Sequence, residues 1–79
     1  MDHQFVAAEG QAIQGVWFED NGSIVCRWWW DPERDELEVR RGSITRKQRL
    51  GLEAELRADS EALKDHLKSQ ALEFAQQMA

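Results

Sequence analysis

At 79 residues, with 42% hydrophobic and 32% charged side chains, the chain suffices for one small globular domain and is too apolar to stay disordered. A net charge of −5 sets a mostly repulsive field against backbone phosphates and argues against a dedicated, non-specific nucleic-acid binder. The single cysteine excludes an intrachain disulfide, and with His3 and His66 it assembles no zinc pattern.

The opening Met1-Asp2-His3-Gln4 carries no basic stretch followed by an apolar run, and no run of about 18 apolar residues occurs anywhere. Neither an export signal nor a membrane span is expected, and a lone Cys26 favours the reducing cytoplasm. A short strand over Phe5 to Ala8, turned at Glu9-Gly10, would set Val6 beside Ile13.

Asn21-Gly22 lies between two alternating apolar runs and predicts a tight type I′ hairpin, which requires positive φ at both central residues. Centring the register there pairs Asp20 with Ser23, Phe18 with Val25, Trp17 with Cys26, Gly15 with Trp28 and Ile13 with Trp30. One face then carries Ile13, Trp17, Ile24, Cys26, Trp28 and Trp30, with Gly15 leaving room for the Trp28 indole to cross the strand. This is the expected core face. Most of the tryptophan content is thereby explained as packing, since each indole buries roughly 150–250 Å².

The segment from Asp31 to Glu36 has a proline and acids where a strand needs ladder donors, so it predicts a turn into a third strand at about Leu37 to Arg41. Its alternating acids resemble the start of a calcium loop only weakly. No glycine stands at the sixth position, and Gly42 occupies the place of the bidentate glutamate.

Near Gly42 the patterning changes from period two to a helical spacing. Thr45-Arg46-Lys47-Gln48 has capping-box spacing and predicts a helix start. Leu52, Leu56, Leu63, Leu67, Phe74 and Met78 then form one stripe, spanning about 80° on a straight helix. Asp59-Ser60 offers a second cap, so one long helix and two helices broken there are both open. The expected fold class is α+β. A single domain over 1–79 has an N-terminal antiparallel meander of three strands, or four with the Phe5 segment, in residues 1–42. An amphipathic helical half, 43–79, packs on one face.

The opposite sheet face would carry Val16, Phe18, Val25 and Trp29, with Phe5 alongside, among Gln14, Arg27, Glu38 and Arg40. One helical layer covers only one face, so this surface is expected to meet a partner protein, a second copy, or the C-terminal part folding over if the helix breaks. Val16, Phe18, Val25, Arg27, Trp29 and Arg40 are the candidate partner-binding residues. Arg41, Arg46, Lys47 and Arg49, with Arg40, fall in a stretch without acids and form a candidate patch for an acidic partner or phosphates. Cations in a first helical turn oppose the macrodipole, so they would not be there for the helix they begin.

The catalytic inventory is thin. Cys26 is expected in an apolar layer that disfavours its thiolate, and the chain has no Gly-rich phosphate loop, His-Glu-x-x-His motif or nucleophile elbow. The expected function is a non-enzymatic protein-interaction module, an adaptor, regulator or inhibitor, with no cofactor, metal, membrane or small-molecule substrate. Two alternatives stand beside it. One is a nucleic-acid-associated module stacking bases on Trp29 and Phe18, and the other a structural homodimer.

Overall fold

The computed structural model describes residues 1–6 and 12–78. Five strands, β1 (Asp2–Val6), β2 (Ile13–Phe18), β3 (Ile24–Asp31), β4 (Glu36–Arg41) and β5 (Ile44–Arg49), are followed by helices α1 (Ala54–Ala58) and α2 (Ser60–Gln77). The strands form one antiparallel sheet in sequence order, so the class is α+β with a five-stranded meander rather than three or four strands. The turn expected at Glu9-Gly10, and Ala7 and Ala8, lie outside the described residues.

The β2–β3 register is the expected one through most of its length: Trp17 faces Cys26, Gly15 faces Trp28, and Ile13 faces Trp30. The turn itself differs. Gly22 N–H donates to Glu19 O and Glu19 N–H to Ser23 O, with Gly22 at φ +88° and Asn21 outside the positive-φ region. This is a three-residue loop with a glycine bulge instead of a two-residue type I′ turn. The extra residue shifts the register, so Phe18 faces Ile24 instead of Val25. Ile24 is exposed as a result, and Val25 is buried in the core cluster.

β4 pairs as expected, Leu37 with Trp30 and Val39 with Trp28. β5 corrects the sequence reading, because residues 44–49 form a strand where a helix was expected. Gly42, at φ +60°, opens a two-residue loop with Ser43 that joins Arg41 to its partner Ile44. Positive φ at the first position alone suits a type II′ hairpin. The helical segment begins later, at Ala54, and it is broken at Asp59, whose side chain accepts from Ala62 N–H at 3.2 Å to cap α2.

Leu63, Leu67, Ala71, Phe74 and Ala75 of α2 share one buried cluster with Cys26, Trp28, Trp30, Leu37 and Val39. Their spacing by three, four and seven keeps them on one helix face. Arg57 of α1 lies 5.3 Å over the Trp30 ring and donates to Pro32 O, tying the short helix to the β3–β4 hairpin.

Asp35 in that hairpin is buried, not solvated with its acidic neighbours, and it sits in the left-handed region at φ +50°. Its carboxylate accepts from Trp30 Nε1 at 3.0 Å and from Leu52 N–H at 2.7 Å, while its carbonyl accepts from Leu50 N–H at 2.9 Å. One residue thereby joins β3, the hairpin and the segment leaving β5. Replacing Asp35 with Ala leaves the buried Trp30 indole N–H and the part-buried Leu52 N–H without their acceptor and is expected to cost about 1–3 kcal/mol of unfolding free energy. Asn, which keeps one acceptor and tolerates the backbone angle, should cost less. Urea unfolding of both variants checks the order, and equal losses would remove the carboxylate from this role.

Candidate functional site on the outer sheet face

Strand alternation puts His3, Phe5, Gly15, Trp17, Cys26, Trp28, Trp30, Leu37 and Val39 toward the helices and turns Trp29, Arg27 and Arg40 away. Each core-side indole N–H has a partner within the fold: Trp17 Nε1 donates to Lys68 O at 3.0 Å, Trp28 Nε1 to His3 Nε2 at 3.1 Å, and Trp30 Nε1 to Asp35. Trp29 has none among the described residues.

The outer face is built of cross-strand rows. One row runs Val6, Gln14, Trp29, Glu38, Lys47, and the next runs Gln4, Val16, Arg27, Arg40, Thr45. Trp29 is half-buried between Gln14 and Glu38, and with Arg27, Arg40 and Trp28 these residues line a hollow of about 230 Å³. That is smaller than the roughly 300–1,000 Å³ of small-molecule sites, so the hollow suits a protruding side chain.

Arg27 and Arg40 oppose each other directly, an arrangement that is unfavourable for like charges. Arg40 is relieved by Glu38 at 3.2 Å, which also meets Lys47 at 3.7 Å. Arg27 forms no ion pair among the described residues and stays exposed.

The six candidate contact residues do not form one exposed set. Arg27 and Arg40 are exposed and Phe18 and Trp29 are half-buried, whereas Val16 and Val25 are each only 8% exposed and offer little contact area. Phe5 was expected on this face. It pairs with Gly15 and lies on the helix side, edge-on to Trp28 and beneath Lys64. Val6 instead faces Gln14 and takes the outer side.

The candidate basic patch is divided between the two faces, since a strand turns successive side chains to opposite sides. Arg41 reaches the helix side and donates to Ala75 O at 2.6 Å. Arg46 lies 4.7 Å over the Phe74 ring and donates to the Gln77 and Gln48 side chains at 2.7 and 2.9 Å. Lys47 and Arg49 point outward, opposite Glu38 and Glu36.

His3 enters the sequence reading only through the missing zinc pattern, yet it sits on the helix side of β1. It stands edge-on to Phe5 and Trp17 and stacked on Trp28, with ring centroids 4.6, 4.9 and 5.8 Å away. Burial, helped by the Lys68 ammonium, pushes its pKa down from 6.5 to about 4. Its Nε2 accepts from Trp28, so the neutral form carries its proton on Nδ1. The alternation of His3 and Phe5 with Gln4 was the available signal, but it is short. Burial pushes the Cys26 thiol up to about 11, with weaker opposing help from Trp17 and Arg41, and leaves it a poor nucleophile.

Among the described residues no group of three or more His, Cys, Asp or Glu is placed to hold a metal, and no helix is long and apolar enough to cross a membrane. In comparisons with known proteins, the chain matches no family profile, no curated protein and no solved structure.

A histidine whose folded-state pKa lies below its unfolded one binds fewer protons when folded. Its stabilisation is therefore complete above pH 6.5 and is lost as pH falls from 6.5 toward 4. Unfolding free energies measured across that window should fall less steeply for His3→Gln, which retains an acceptor for Trp28, than for wild type. Parallel curves would show that His3 is not the titrating group.

Proposed function

We propose that this chain is a non-enzymatic protein-interaction module that docks a protein partner on its outer sheet face, with Trp29, Phe18, Arg27 and Arg40 as the contact residues. The observation that carries this reading is the contrast among the tryptophans. Three indoles have their N–H groups engaged within the fold, while Trp29 faces away from the helices beside Arg27, which forms no ion pair among the described residues. Trp and Arg are the residue types that most often supply interface hot spots, and a hollow beside them gives a partner side chain a seat.

The outward charges Arg27, Arg40, Lys47 and Arg49 would orient an acidic surface of that partner, with Glu36 and Glu38 limiting its reach. Arg41 and Arg46 are engaged with the end of α2 and are not assigned to the partner. A free, buried Cys26 supports a reducing compartment and hence a cytoplasmic setting.

One observation favours a nucleic-acid version: an indole and four cations share this face. The net charge of −5 weighs against it.

Capture from native lysate separates the two. Wild-type bait should retain a protein after nuclease treatment, Trp29→Asp should lose it by at least tenfold, and Ser69→Asp, on the exposed side of α2, should keep it. Equal capture by wild type and Trp29→Asp would end the role of this face, and capture lost on nuclease treatment would turn it toward nucleic acid.

A further inference from the structure

A five-stranded open meander has two edges, here β1 and β5, and among the described residues no further strand pairs with the outer side of either. The two edges are protected very differently. β5 reads Ile-Thr-Arg-Lys-Gln-Arg, with three cations in six residues, whereas β1 reads Asp-His-Gln-Phe-Val, with neither lysine, arginine nor proline. Along β1, Phe5 and Val6 are 39% and 43% exposed.

We propose that β1 pairs antiparallel with β1 of a second copy of this chain, about a two-fold axis at Gln4, to form one continuous ten-stranded sheet. The register follows from the pleat. For side chains of both copies to keep to the same faces, the pairing must centre on a residue and not between two, and centring on Gln4 engages all five residues. Gln4 then meets Gln4 of the second copy, Asp2 meets Val6, and His3 meets Phe5. No like charges are opposed. The His3–Phe5 contact repeats, between copies, the edge-to-face pair that the same two rings make within one chain at 4.6 Å.

The same rule disqualifies the other edge. An antiparallel β5–β5 pair with matched faces has its greatest overlap centred on Arg46 or on Lys47, and either choice sets a cation against its own copy. Pairing β1 with β5 of another copy would leave a free β1 and a free β5 at the ends and so grow an open filament instead of a closed dimer. Of the three pairings, only β1 with β1 closes without repulsion.

Five residues per strand make a small interface beside the roughly 1,200–2,000 Å² of stable complexes, so the dimer is a reversible one seen at high protein concentration. It uses the edge and not the outer face, and is independent of the Trp29 surface.

Sedimentation equilibrium from micromolar to millimolar protein tests the pairing. Wild type should pass from monomer to dimer. Gln4→Lys and Gln4→Glu, at an exposed position, should each weaken association at least tenfold, because either sets like charges opposite each other. An equimolar mixture of the two should recover dimers, as heterodimers, and Trp29→Asp should dimerise like wild type. A wild type monomeric throughout, a Gln4→Lys variant that still dimerises, a mixture that stays monomeric, or a dimer broken by Trp29→Asp would each overturn the assignment. Recovery in the mixture also shows that both variants are folded.

Discussion

The close approach of Trp28 to Gly15 is the constraint on which the rest of this structure depends. A methyl group at position 15 would lie 2.5 Å from His3 Nε2 and 2.6 Å from the Trp28 ring, so neither strand could keep its place with a larger residue there. Once the indole crosses β2 at that point, the pleat assigns every other side chain of β2, β3 and β4 to a face. Trp17 and Trp30 fall on the same side as Trp28, and their N–H groups reach Lys68 O of α2 and Asp35 of the hairpin. A buried indole left without an acceptor costs free energy. The three donors therefore specify three tertiary positions, β1 through His3, the hairpin through Asp35, and the helix through Lys68.

The parts legible in the sequence were those in which a side-chain pattern and a backbone requirement agree. Gly15 opposite Trp28, and Leu37 and Val39 opposite Trp30 and Trp28, are all recoverable from alternation plus one hairpin centre. The turn at Asn21-Gly22 was located correctly but with the wrong loop length. Type I′ and bulged three-residue loops both place glycine at positive φ, and they differ by one loop residue and in whether Asn21 must join it. That difference moves Ile24 out and Val25 in, and it removes Val25 from the candidate contact surface.

β5 was illegible for a different reason. Its helix-side residues after Ile44 are Arg46 and Gln48, so the apolar alternation that marks a half-buried strand is missing. The capping-box spacing of Thr45 and Gln48 then gave the stronger local signal. Gly42-Ser43 was the countervailing evidence, since glycine followed by serine suits a two-residue hairpin. β5 pairs along its whole length with β4, and Leu50 and Leu52 just beyond it pack on the core, so tertiary pairing overrides the local helix signal.

Placing residues 44–49 in a strand also removes the electrostatic difficulty of the basic stretch. Cations at a helix start oppose the macrodipole, but Arg41 and Arg46 stand instead beside the end of α2, which has no basic residue in its own last turn. Arg41 donates to Ala75 O, a last-turn carbonyl that also accepts from the Met78 N–H at 3.2 Å, and Arg46 spreads over Phe74. The alternation of the strand does the sorting: residues on the helix side close the helix, and Arg40, Lys47 and Arg49 remain on the other side with Arg27. A stretch that reads as one basic patch is therefore two features of different consequence, a C-terminal clamp for α2 and a set of outward charges around Trp29.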